Sequence, residues 1–261
     1  ASPSGAHFSS RAPRVALASG HSKTELAPMN PRSFFAVFLA FLVASASLAR
    51  SDQSPAWIST YQKLLGKYVT TGGVRYAAWK GNAEDMKAIQ QVVDGIAQEK
   101  ISGLNKKEQL AFYINGYNAW ILHEALGKYP TKSVKDLLFT FFTGQRIKVA
   151  GEPMSFNHLE KDIIRPKFGD PRVHFALNCA SQSCPPLNPE PFRGDKLDGQ
   201  LDKLATAFVN SPKGVDYQPG KKMAALSAIL DWYNDDFKAA GCPVACLNKR
   251  QHELLPNDVT T

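Results

Sequence analysis

The segment Asn105–Pro130 leaves the rest of the chain little choice of architecture. Asn105 followed three residues on by Glu108 is the signature of a capping box, and Pro130 supplies a stop, so the spacing predicts one helix from about 105 to 129. Its apolar residues, among them Leu110, Ile114, Tyr117, Ile121, Leu122 and Leu126, cover more than the single stripe a surface helix presents. Such a helix has to be wrapped on several sides. Asn115 and Asn118 lie within that apolar surface, one turn apart. A buried amide needs partners, so both are expected to bond a neighbouring loop; the sharper alternative turns Asn118 towards a functional site. His123 reads as a surface residue, as does His158.

The remaining segments read as the wrapping. Apolar spacing predicts helices over about 55–68, from an Asn82 cap to about Gln98, and over Leu197–Val209, with a last helix capped by Ser227. Val74–Trp79 reads as a short extended piece, and Lys132–Phe142 as a short helix or loop with phenylalanines turned into a core. Arg146–Val149 alternates as an edge strand that returns through Met154 after a Gly151-Glu152-Pro153 turn. Asn157 and Glu160 have the spacing of a second capping box, opening a helix that runs to Arg165, which gives Glu160 a structural explanation. Val215–Tyr217 and Met223–Leu226 flank Pro219-Gly220 as a hairpin would. No repeat, low-complexity tract or interior linker divides residues 55–245. The expected fold is therefore one α+β domain over 50–245, a central buried helix packed on a small, mainly antiparallel sheet with surrounding helices, followed by a tail over 246–261.

Chemistry concentrates in Val173–Leu187. Alternation across Val173-His174-Phe175-Ala176-Leu177-Asn178 predicts a short strand that places His174 and Asn178 on one face. Cys179 begins a turn and Cys184 is returned towards that face, with Pro185-Pro186 stiffening the loop's exit. His174, Asn178 and Cys184 are thus expected to share a cleft.

The apolar run Phe34–Val43, preceded by Arg32 and followed by Ala44-Ser45-Ala46-Ser47-Leu48-Ala49, has the pattern of a signal peptide, with cleavage expected after Ala46 or Ala49. Met29 would then open the signal over 29–49, and residues 1–28, rich in Ser, Ala and Pro, read as an upstream extension or disordered leader. The run falls short of the roughly 20 residues of a spanning helix, so a periplasmic or secreted product without stable membrane insertion is expected. All four cysteines, Cys179, Cys184, Cys242 and Cys246, follow that run. An even count in an oxidising compartment favours disulfides. Three pairings are possible; the local pairs are the simplest, each stabilising by roughly 2 kcal/mol. A four-cysteine metal site ranks below disulfides, because neither pair has tight knuckle spacing. The chain carries a net charge of +8, of which residues 1–49 hold four basic and one acidic residue, and the rest is scattered without a basic run or aromatic stripe. Nucleic acid is not an expected partner. No cofactor is called for.

Several motifs resemble the family called domain of unknown function 547. They are Ala111-Phe112-Tyr113-Ile114-Asn115-Gly116-Tyr117-Asn118-Ala119, Ser155–Glu160 with Ile163 and Arg165, His174–Cys179 with Ser183-Cys184-Pro185, and Trp232-Tyr233 followed by Asp236-Phe237. The resemblance covers most of 57–237 and implies no settled activity. The order of a central helix followed by a segment carrying histidine is also similar to papain-like and transglutaminase-like folds. In that alignment Asn118 stands where those enzymes carry a cysteine, and an amide is no nucleophile.

Two readings of function follow. In one, the domain binds a peptide, glycan or small molecule, with the cysteines oxidised and Asn178, Asn118, Asn115 and Glu160 available as binding groups. In the other, a thiol-dependent hydrolase or acyl transferase uses Cys184 or Cys179 as nucleophile and His174 as general base, with Asn178, Asn118 or Glu160 orienting the imidazole. The bridged, binding form is the favoured one.

Overall fold

A computed structural model describes residues 54–130, 138–181, 184–218 and 223–241. These residues fall within one compact unit, Gln53–Thr261. Helix α1 (Ala56–Tyr68) buries Trp57, Tyr61, Leu64, Leu65 and Tyr68 on one stripe. Strands β1 (Val69–Thr70) and β2 (Gly73–Val74) pair antiparallel, and the chain turns at once into α2 (Tyr76–Lys80), so the piece expected to be extended is helical after Val74. Helix α3 (Ala83–Gln98) starts where the Asn82 side chain accepts the Asp85 amide at 3.0 Å. It lies close on α1 because Gly95 has no side chain: a Cβ there would meet the Trp57 ring and Cβ at 2.8–2.9 Å.

Helix α4 (Lys106–Lys128) is the centre. Its capping box is complete, with Asn105 accepting from the Lys107 and Glu108 amides and Glu108 accepting from the Asn105 amide at 2.7 Å. Every residue from Leu110 to Leu122 is buried, as a helix wrapped on all sides requires. After α5 (Leu138–Thr143), strands β3 (Ile147–Val149) and β4 (Glu152–Met154) form a hairpin whose turn is Ala150-Gly151, with Pro153 inside the ladder opposite Lys148. Both turn residues have positive φ, 51° and 90°, as a two-residue hairpin turn with the right twist demands. The amides of Ala150 and Gly151 reach the Ile96 and Ala97 carbonyls, at the end of α3.

Two departures from the sequence reading shape the site. The helix expected over Asn157–Arg165 is a π-helical segment, His158–Ile164, continuing into α6 (Arg165–Phe168). Asn157 does not cap it; Ser155 Oγ accepts the His158 amide at 3.0 Å, and Glu160 is turned inward instead of back to an N-cap. The expected strand at Val173–Asn178 is also absent: Pro171–Phe175 forms a 3₁₀ turn, capped by Asp170 accepting the Arg172 amide at 3.0 Å. An N-cap aspartate followed by proline at the first helical position overrode the apolar alternation. Arg172 pins this turn to α7 (Leu197–Val209) through Asp198 and Asp202, and Phe175 packs on Phe208.

Strands β5 (Val215–Gln218) and β6 (Met223–Leu226) pair antiparallel, and their connection at 219–222 lies outside the described residues. The last helix is broken at Tyr233 into α8 (Ala228–Trp232) and α9 (Asn234–Ala239). The protein is thus α+β, mostly helical, and among the described residues the strands form three separate two-stranded ladders. The expected leader, signal peptide, cleavage point, Cys242, Cys246 and C-terminal tail lie outside the described residues. No described helix is long and apolar enough to cross a membrane.

Candidate functional site

The residues singled out from the sequence fall into three groups. Asn115 and Asn118, both 2 % exposed, point from α4 in two directions. Asn115 donates from Nδ2 to the Phe192 carbonyl and accepts the Phe192 amide, each at 2.8 Å. Asn118 does the same across two residues, donating to the Ala176 carbonyl at 2.8 Å and accepting the Asn178 amide at 2.9 Å. Both side chains therefore satisfy a backbone that has no ladder of its own.

The second group is the loop. Cys179 and Cys184 are joined in a disulfide, Cα to Cα 6.2 Å, and no free cysteine remains among the described residues. Asn178 donates from Nδ2 to the Pro185 carbonyl at 2.8 Å and accepts the Ala180 amide through Oδ1 at 2.8 Å. Ala180, inside the ring, has φ 57°, a left-handed conformation that costs a residue with a side chain about 1 kcal/mol.

The third group surrounds His174, whose ring is buried. Its Nε2 is 2.8 Å from Asp236 Oδ2. The carboxylate only accepts, so the neutral imidazole carries its proton on Nε2 and none on Nδ1. Tyr233 stacks on the ring at 3.6 Å between centroids. Asp236 is gripped on its other side by Arg165, with Nε at 2.6 Å and Nη2 at 2.9 Å, the two-pronged geometry that makes this pair strong. Arg165 also lies over the Tyr233 ring. Tyr233 donates to Glu160 Oε1 at 2.7 Å, and Tyr117 of α4 reaches Oε2 at 3.5 Å. Burial pushes the His174 pKa down to about 4, against the pull of Asp236, so the ring is neutral at pH 7. The Arg165 guanidinium, with His174 second, holds the Asp236 carboxyl below the usual range.

His174 and Asn178 thus belong to different networks. Among the described residues no hydrogen bond or ring contact joins His174 to Asn178, Cys179 or Cys184. In a strand they would share a face; the 3₁₀ turn sends them to different partners. Asp236, Arg165 and Tyr233 were not among the expected site residues. Their signal was present in the motifs carrying the family resemblance, but nothing in local spacing joins positions 71 and 73 residues apart. A surface depression lined by Asp195, Lys196, Asp198, Gly199, Gln200 and Lys203 shares no residue with these groups. Among the described residues no cluster of three or more His, Cys, Asp or Glu could hold a metal ion.

Residues 101–209 match the model of the family described as "Protein of unknown function, DUF547". That stretch contains α4, the π-helical segment, the 3₁₀ turn, the bridged loop and α7. No curated protein and no solved structure matches the chain.

Proposed function

We propose that the protein is an exported binding module that takes a peptide, glycan or small-molecule ligand on the bridged loop, at Asn178–Ser181 and Cys184–Pro186. The observation that carries this reading is the loop's double fastening: the disulfide closes it, and Asn118 and Asn178 hold it to the central helix and across its own base. A partly exposed loop fixed before a ligand arrives loses little conformational freedom on binding. The strained backbone at Ala180 is of the kind that clusters at ligand clamps. Asn115, Asn118 and Glu160 serve as supports, since their polar atoms are engaged within the chain.

The thiol-enzyme alternative has less support. Both candidate nucleophiles are spent in the bridge, and His174 bonds Asp236 behind Tyr233. Periplasmic or secreted placement rests on the sequence pattern at 34–49 and on the cysteine pair.

Thermal-shift screening of the mature chain against peptide, oligosaccharide and metabolite panels tests the binding reading. A saturable rise in melting temperature is expected, weakened several-fold by Ala180→Gly, which loosens the loop without straining it, and left within about twofold by His174→Gln. A single cysteine that reacts with iodoacetamide in the native protein at neutral pH, with labelling that depends on His174, would overturn it.

A further inference from the structure

The disulfide and a hydrogen bond close the same ring. Cys179 is joined to Cys184, while Asn178, one residue before the first cysteine, donates to the carbonyl of Pro185, one residue after the second. The base of the loop is also tied to α4 by Asn118, which accepts the Asn178 amide. Within the loop, Ala180 is bonded to Asn178 and the Cys184 amide to the Ser181 carbonyl. None of these contacts uses sulfur. A bridge five positions long removes little freedom from the unfolded chain compared with one that closes a long loop. Both cysteines are partly exposed, so a thiol from solution has access to the bond.

From this redundancy we infer that Cys179–Cys184 is a reversible dithiol–disulfide site, which opens and closes without unfolding the loop and exchanges with an external dithiol. The thiolate of the donor attacks one sulfur of the bridge, and the electron pair of the S–S bond leaves on the other as thiolate. The mixed disulfide is then broken by the donor's second thiolate, which displaces the remaining chain sulfur. Two electrons have passed to this protein, the donor holds a disulfide, and two protons from solvent restore both thiols. The reverse exchange with an oxidised partner closes the bridge again. The asparagine clamp keeps Cys179 and Cys184 near one another in the reduced state, so reclosure stays intramolecular. This takes from the proposed binding role only the loop's use; the exchange chemistry stands or fails independently of any ligand.

The test uses the mature full-length chain under native conditions, with dithiothreitol as donor and iodoacetamide as trap. Peptide mapping separates Cys179 and Cys184 from Cys242 and Cys246. Both loop cysteines should label at low millimolar dithiothreitol, with unchanged far-ultraviolet circular dichroism and a melting temperature lowered by less than about 4 °C. Oxidised glutathione should restore the bridge. Asn178→Asp keeps the acceptor for Ala180 but removes the donor to Pro185; in it, reduction should lower the melting temperature at least about twice as far as in the parent. Labelling that appears only with denaturant would overturn the inference. Equal drops on reduction in the parent and in Asn178→Asp would also overturn it, since the hydrogen bond would then not duplicate the bridge.

Discussion

The layer built by α1, α3 and α4 differs from the junction where Glu160, Arg165 and His174 meet Tyr233 and Asp236 in what holds it together. In the layer the contacts are apolar and near-complete: Ile89, Val92, Val93, Ile96 and Ile114 are fully buried. Each such side chain contributes about 1.5–3 kcal/mol by leaving water, and the gain depends little on direction. At the junction a smaller apolar group, including Phe175, Phe208, Ile229, Leu230 and Phe237, lies beside five polar side chains that must meet at fixed angles. Burial makes the apolar contacts of the layer insensitive to protonation, leaving the Asp85 carboxylate that joins α3 to Lys67 and Tyr68 of α1 as a titrating contact, whereas the junction is held mainly by such polar contacts.

Ile121→Asp should widen that contrast most. Ile121 is 1 % exposed on α4, and an unpaired carboxylate there should cost more than about 4 kcal/mol, read as loss of a cooperative urea transition. A variant that melted like the parent would remove α4 from the centre of the layer. Acid should act on the junction first, because the depressed carboxylates elsewhere, such as Asp85, are protonated only below the ordinary carboxylate range. The His174 pKa is lowered in the fold to about 4 from an ordinary 6.5, so below pH 6.5 the unfolded chain takes a proton that the folded chain refuses. Stability present above pH 6.5 is therefore lost as pH falls towards 4, by on the order of 3 kcal/mol, and the depressed Asp236 adds a further loss at lower pH. His174→Gln should flatten the upper part of that profile; an unchanged profile would move the acid sensitivity elsewhere.

Asp236→Ala removes the shared acceptor of Arg165 and His174 and should cost about 2 kcal/mol, since the pair is partly solvated. The same change should lower the His174 pKa further, because Asp236 favours the imidazolium more than the remaining carboxylate, Asp170, does, and a proton NMR titration reads this directly. The smallest effect is expected from Tyr233→Phe, at about 1 kcal/mol for the bond to Glu160, with His174 still stacked on the ring. If Asp236→Ala proved as severe as Ile121→Asp, the two regions would not differ as described.

The same contrast explains what could be read in the sequence. The layer was legible because each of its helices is decided locally: the caps at Asn82 and Asn105 and the apolar spacing in α1, α3, α4 and α7 all act within a few turns. The roles of Asn115 and Asn118 as backbone supports could be expected for the same reason, since a buried amide has few alternatives. The Cys179–Cys184 pairing was the simplest of three. The junction was not legible. Glu160 satisfied a local capping rule on paper, and only the π-helical register, which no spacing rule foretold, turns it towards Tyr233. His174 was misplaced because six alternating residues fit a strand, while the Asp170-Pro171 start that decides the turn lies just before them.

The tip of the β3–β4 hairpin has a consequence for how the chain comes together in time. The carbonyls of Ile96 and Ala97 receive their partners from Ala150 and Gly151, so the final turn of α3 is completed by residues more than fifty positions downstream. During synthesis the first three helices emerge with that turn open to water. Release of the hairpin is then the event that latches them, and a nascent chain halted before residue 151 would carry the helices of the layer without their stopper.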